Sequence, residues 1–238
     1  MVDMAFLVKL DMDSFFQNMP EKVLVTGIGT DVGKSYATGW MARELMISIP
    51  SSADDKRKAV ITQKLIQTGN KDMSEDIDVH RRIMGIGLLA RDLDHTTAPL
   101  ILSYPASPEL AARIDGVQLD FSLAAKCSER LSAEYRHLLI EGAGGLLVPL
   151  LKRYTTLDYA AEHNLPVIVV TNGQLGSINH TLLTLEALIH RCVSVYGVVY
   201  NPYFDKDKVI SADTEAYISD WMAEYMPKAK YVRMPETL

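Results

Sequence analysis

A lysine and a serine, Lys34-Ser35, close the run GIGTDVGKS (27–35), which follows the apolar stretch KVLVT (22–26). This combination suits phosphate chemistry. Glycines let backbone N–H groups close on phosphate oxygens, and the start of a following helix adds unpaired amides and a positive end. The lysine can reach the outer phosphates, and the serine hydroxyl can ligate Mg²⁺. The usual loop has four residues between its first glycine and Gly-Lys. Counting back from Gly33 lands instead on Ile28, with Gly27 and Gly29 on either side. The loop is a variant in which strand, glycines, Lys-Ser and helix still occur together.

Magnesium takes about six oxygens, so one serine needs help. Glu141 ends an apolar run in HLLIEGAGG, where an acid is costly unless paired or metal-bound. In SEDIDVHRR (74–82), Asp76 and Asp78 are rival second ligands, and either could instead cap or decorate a helix. Lys64, in ITQKLIQTG, fits two roles: a snorkelling strand end, or a charge that neutralises a transferring phosphoryl group or an anionic substrate. The residues alone leave both open. Histidines 80, 95, 137, 163, 180 and 190 show no metal-ligand spacing, and the basic clusters KRK (56–58) and HRR (80–82) read as solvated faces or turns.

These groups need a scaffold. Continuously apolar runs at 22–26, 59–64, 137–141, 166–171 and 194–200 suit buried parallel strands. Between and after them, 34–46, 118–134, 178–190 and 212–226 fit helical periodicity, with Gly39 a weak point in the first. The alternation predicts an α/β fold: a doubly wound, mostly parallel sheet with helices on both faces, P-loop NTPase-like. Ligands of such sheets sit beyond the carboxyl ends of the strands, where this chain places TGIGTDVGKS, QTGNKD, EGAGG, TNGQLGSINH and NPYF.

Bulk composition narrows the classes. The chain has 238 residues, 48% hydrophobic and 23% charged, with a net charge of −6. That balance predicts a folded protein and argues against a nucleic-acid partner. Apolar runs fall short of the roughly 18 residues a spanning helix needs, so no membrane association is expected. Cys127 and Cys192 form no CxxC or paired metal spacing, which fits a reducing, cytoplasmic location. Residues 1–21 are read as an N-terminal extension of unknown role, fitting an extra strand, a helix or a disordered arm, without the pattern of a signal peptide. Residues 22–238 are read as a single domain.

Assembled, the motifs resemble dethiobiotin synthetases over residues 22 to 235. That family has a loop of a glycine, five residues and Gly-Lys-Thr, matched here with Ser35 for threonine. Its Lys-Pro-x-x-Ser/Thr-Gly run is matched by KLIQTG (64–69), with Leu65 in the proline position. Its Ser-Asp metal region resembles Glu75-Asp76, which favours Asp76 over Asp78. PASPELAA (105–112), EGAGGLLVP (141–149) and LGSINHTLLT (175–184) also match. The last is the most specific after the loop, since a generic phosphate-loop ATPase has no need of it.

The resemblance implies a homodimer that uses ATP, Mg²⁺, CO₂ and 7,8-diaminononanoate, with the substrate site near the subunit boundary. An amine and CO₂ would give a carbamate, ATP would phosphorylate it, and the second amine would close the ureido ring. On that scheme Gly29, Thr30, Asp31, Val32, Gly33, Lys34, Ser35 and Tyr36 would bind the nucleotide, with Asn201 and Pro235 at the adenine. Ser35, Asp76 and Glu141 would hold the metal. Lys34, Lys64 and Thr68 would serve catalysis, and Lys64, Thr68 and Gly144 would also meet the substrate. Ser177, Ile178 and Asn179, opening a helix, would receive the substrate carboxylate across the dimer, with Tyr217 also in reach.

Three departures stand out. Gly29 replaces a family aspartate, Leu65 replaces the proline, and the chain stops soon after Pro235. Two rivals share the phosphate loop. A cobyrinate-type amidoligase usually carries a glutaminase domain, for which no length remains here. A partner-controlled ParA/MinD-like ATPase switch often has an extra lysine early in its loop, absent from VTGIGT.

Overall fold

In a computed structural model of the chain, the described residues are 12–48 and 57–237. Residues 1–11 of the N-terminal extension and Lys56 of the first basic cluster lie outside them.

The described residues open on a helical segment, α1 (12–17), and then β1 (Lys22–Gly27) leads through the glycine loop into α2 (Lys34–Ser48). Next come β2 (Lys58–Lys64), the two-residue β3 (Gln67–Thr68), α3 (Glu75–Met84), α4 (Ala90–Leu93) and β4 (Ile101–Leu102). α5 (Pro108–Asp115) and α6 (Phe121–Glu134) return the chain to the long β5 (Tyr135–Gly145). A ribbon of β6 (Pro149–Leu151) and β7 (Tyr154–Thr155) precedes α7 (Thr156–Glu162) and β8 (Val167–Asn172). α8 (Ser177–His190), β9 (Val195–Asn201), a 3-10 turn at Pro202–Phe204, α9 (Lys208–Tyr225) and β10 (Lys230–Arg233) complete it.

Six strands form the main sheet in the order β10-β9-β8-β1-β5-β2, every pair parallel. This is the expected α/β architecture. β1 lies between β5 and β8, so the strand order reverses at the end of β1, where the glycine loop sits; such reversals open a crevice for ligands. The apolar runs are continuous because both sheet faces are covered. Leu24, Leu138, Ile140, Val167 and Val169 point into one core, lined by α5 to α9. Val23, Val25, Leu139, Ile168 and Val170 point into the other, lined by α1, α2 and Met84.

Three features go beyond the sequence reading. β10 escaped it because the strand is short, lies at the sheet edge and carries Lys230 and Arg233. α1 buries Phe15 and Phe16, and the Phe15 ring meets Tyr196 of β9 edge-on at 5.3 Å between centroids. α3 is marked by caps at both ends: Ser74 accepts from the Ile77 N–H, and Gly85 closes the helix at φ 70°.

Gly39, the weak point in α2, has a packing reason. A Cβ there would lie 3.1 Å from Ile83 Cβ and 3.2 Å from His80 Cα, so only glycine lets α3 settle this closely on α2.

Candidate active site

The loop between β1 and α2 is shaped by Gly33, whose φ of 90° disfavours other residues. A Cβ at Gly33 would also fall 2.1 Å from Asn201 Nδ2. Asn201 ends β9 and reaches beneath the loop: its Nδ2 donates to the Val32 carbonyl at 3.1 Å, and its Oδ1 accepts from the Tyr203 N–H at 3.1 Å. Lys34 is buried and folds back to donate to the Gly29 carbonyl at 2.9 Å. Burial, reinforced by the nearby Lys64 charge, pushes the Lys34 ammonium down to about 8.

Beside the loop, residues of α2, β2, α3 and β5 meet in one cluster. Ser35 Oγ lies 2.8 Å from Asp76 Oδ1 and 3.0 Å from Glu141 Oε1. Lys64 Nζ sits between the same carboxylates, 2.5 Å from Asp76 Oδ2 and 2.7 Å from Glu141 Oε1, and also donates to the Gly142 carbonyl at 3.1 Å. Three ammonium protons thus have three acceptors. Burial works to lower the Lys64 pKa, but Glu141 and Asp76 outweigh it and raise it above the ordinary lysine value. Burial works to raise that of Glu141, yet the Lys64 charge and the hydrogen bond to His80 hold it below the usual carboxylate range.

The donor set fits a hard cation shared with a bound anion. One hydroxyl and two carboxylates converge, and Lys64 now neutralises the carboxylates. Among the described residues no group of three or more His, Cys, Asp or Glu could hold a metal. The protein therefore offers part of a coordination shell, the arrangement Mg²⁺ takes when phosphates and water supply the rest.

A cavity of about 1140 Å³ opens over this cluster. Thr30, Asp31, Gly33, Lys34, Ser35, Tyr36, Lys64, Thr68, Asp76, Glu141, Gly144, Asn201 and Pro235 all line it. Gly29 contributes its carbonyl to Lys34, and Val32 is buried below the loop. Ser177, Ile178, Asn179 and Tyr217 lie outside the cavity lining. Ser177 turns inward to donate to Asn172 Oδ1 at 2.6 Å, whereas Asn179 and Tyr217 are exposed on α8 and α9.

The departures have local explanations. At Gly29 a Cβ would meet only Val32 Cγ1, at 4.0 Å, so no crowding demands glycine there. The Leu65 N–H donates to the Glu141 carbonyl at 2.9 Å, a bond that proline could not make. The C-terminal tail near Pro235 is tied down by Arg233, which pairs with Asp205 at 3.2 Å and with Glu215.

One expectation is corrected. HRR (80–82) is not a solvated basic face, because His80 and Arg81 are 0% and 1% exposed. Ile77, His80, Arg81 and Met84 form the inward stripe of α3, while Arg82 points out and pairs with Asp78 at 3.0 Å. The helical spacing of Asp76 and His80, four apart, is the signal that could have joined them. The cavity also takes in Gln67, Tyr203 and Phe204, to which the sequence reading gave no role, and Met234 beside Pro235.

Among the described residues, no helix is long and apolar enough to cross a membrane. The AAA domain family matches residues 21–221. The ATP-dependent dethiobiotin synthetase BioD 2 of Pasteurella multocida is 43% identical over 213 residues, covering 90% of this chain and 96% of that protein. Its namesake in Haemophilus influenzae is 45% identical over 192 residues, covering 81% and 96%. Among solved structures, the ParA family ATPase from Chlorobium tepidum TLS aligns over 91% of this chain and 84% of that one, at 15% identity and a TM-score of 0.49. On the near-complete coverage of its curated relatives, the chain belongs to the ATP-dependent dethiobiotin synthetase family.

Proposed function

We propose that the chain catalyses carboxylation and ring closure of 7,8-diaminononanoate with CO₂ to dethiobiotin, converting ATP to ADP and phosphate. The observation that carries this reading is the meeting of Lys34, Ser35, Lys64, Asp76 and Glu141 on one cavity, in a chain with close dethiobiotin synthetase relatives.

The roles follow from position. The loop amides and Lys34 hold the phosphate chain, and Asn201 with the tail at Pro235 frames the base. Ser35, Asp76 and Glu141 would hold Mg²⁺, which when bound would screen phosphate charge and orient the transferring group. Lys64, at the floor of the same cavity, places its charge against the carbamate and the γ-phosphoryl group. Thr68 and Gly144 line the diamine side. The substrate carbamate oxygen attacks the γ-phosphorus and ADP leaves. The second amine then attacks the carbonyl carbon of the carbamic-phosphoric anhydride, expelling phosphate and closing the ureido ring. The substrate supplies both nucleophiles, so the protein works by positioning and charge stabilisation.

The start of α8, where Ser177 is buried, Ile178 half-buried and Asn179 exposed, suits a carboxylate through its free backbone amides. We place it, with Tyr217, on the substrate of the neighbouring subunit in a homodimer.

The test supplies purified protein with diamine, ¹³C-bicarbonate, Mg²⁺ and ATP, omitting each in turn, and follows product by mass spectrometry. Dethiobiotin carrying one added ¹³C, absent from every omission, is the expected result. ATP hydrolysis indifferent to the diamine would contradict the reading and favour an ATPase switch.

A further inference from the structure

Beside the phosphate site lies a buried side chain that the scheme above does not use. His80 is fully buried, with Nε2 2.7 Å from Glu141 Oε2 and Nδ1 3.0 Å from Thr62 Oγ1. An ionised carboxylate can only accept, so a ring proton on Nε2 points at Glu141. Arg81 Nη1 donates to Thr62 Oγ1 at 2.8 Å. The threonine hydroxyl, accepting from Arg81, keeps its own proton available for His80 Nδ1.

The far end of the chain is equally fixed. Arg81 makes two bonds to Asp92, at 2.9 and 2.8 Å, and Asp92 accepts from Thr97 Oγ1 at 2.7 Å. The Thr97 carbonyl accepts the backbone N–H of Lys64 at 2.7 Å. The network therefore closes on the strand end that carries Lys64. The Glu141 oxygens are divided by it: Oε2 is taken by His80, and Oε1 faces Ser35 and Lys64.

We propose that His80 is a positioning residue of the phosphoryl-transfer site: it holds Glu141 so that Oε1 faces the bound cation, while Thr62, Arg81 and Asp92 fix the tautomer and place of the ring. The inference rests on the reading that Ser35, Asp76 and Glu141 hold Mg²⁺. Partners that orient metal-ligating groups from behind typically change metal affinity 10–100-fold when removed. A histidine that merely filled the core would be replaced by leucine without such an effect.

The experiment uses Mn²⁺ as the probe, titrated by EPR into protein carrying a non-hydrolysable ATP analogue. His80→Leu should weaken Mn²⁺ binding by about tenfold or more, with metal-free nucleotide affinity unchanged. His80→Gln, whose amide can donate from nearly the same place, should recover most of the loss. Thr62→Val, close in shape to threonine, should weaken Mn²⁺ less than His80→Leu. Equal Mn²⁺ affinity in wild type and a folded His80→Leu protein overturns the proposal, as does a His80→Gln protein no better than His80→Leu. If His80→Leu does not fold, Thr62→Val decides, and unchanged affinity there overturns it. A wild-type complex that binds no Mn²⁺ would instead remove the metal site on which both readings rest.

Discussion

Two lysines face the same cavity with opposite electrostatic fates. Lys64 is stabilised as a cation by the two carboxylates it touches, whereas Lys34 has only a carbonyl for a direct partner and is held near 8. In the proposed role, Lys34 meets phosphate in its ammonium form. Below pH 8 that form is already present, so nucleotide affinity is at its full value. Above pH 8 a proton must be taken up on binding, and affinity falls by about tenfold per pH unit until the bound-state pKa is reached. Lys34→Arg keeps its charge and should flatten this decline, which calorimetric titrations of ATP between pH 7 and 9.5 would show. A wild-type affinity flat across that range would contradict the assignment. At this scale much was legible. Lys34, Ser35 and Glu141 stand out because each lies next to glycines that follow an apolar run. Asp76 and Asp78 could not be separated locally, since only the docking of α3 turns one toward Ser35 and the other toward Arg82. His80 was missed because its partner lies 61 residues away along the chain.

Among the elements, α3 carries most of what the sequence concealed. Its residues look polar in a row, and their meaning comes from one face packing on α2 while Arg81 pairs with Asp92 behind β2. Gly39 makes that approach possible. Gly39→Ala should gain about 1 kcal/mol of helix propensity but lose about 1–3 kcal/mol to overpacking, because one of the atoms in the way is backbone. The expected outcome is a lower denaturation midpoint for Gly39→Ala despite the better helix former. A raised midpoint would show that α3 moves freely. Leu65 shows the converse case. It breaks the family pattern, yet its N–H extends the ladder between β2 and β5 beside Glu141. Departures of this kind read as defects in a motif and become intelligible only in the pairing.

For the molecule as a whole, the parallel sheet was the most legible feature, because strands buried on both faces leave continuous apolar runs. Val23, Leu24 and Val25 point alternately into the two cores, so no polar residue interrupts them. The edge strand β10 and the short helices carry too little such pattern. Assembly is less visible still: Asn179 and Tyr217 are exposed, and neither lines the cavity of its own chain. If the start of α8 serves the neighbouring subunit, Lys34→Ala and Asn179→Ala proteins should each be inactive or severely impaired. Mixed and allowed to exchange subunits, they should regain about one quarter of wild-type activity, from heterodimers with one complete site. No recovery, with exchange verified by mass, would place Asn179 outside a shared site.

The central claim is that one phosphoryl transfer at the Lys34–Lys64 cavity is spent on each ring closed. It is tested most directly by counting ADP and dethiobiotin in the same reaction, for wild type and for Lys64→Ala. The account predicts one dethiobiotin per ADP in wild type, and loss of both products together in the variant. ADP released in clear excess of dethiobiotin by wild type, or a Lys64→Ala protein that still forms dethiobiotin at the wild-type rate, would contradict it.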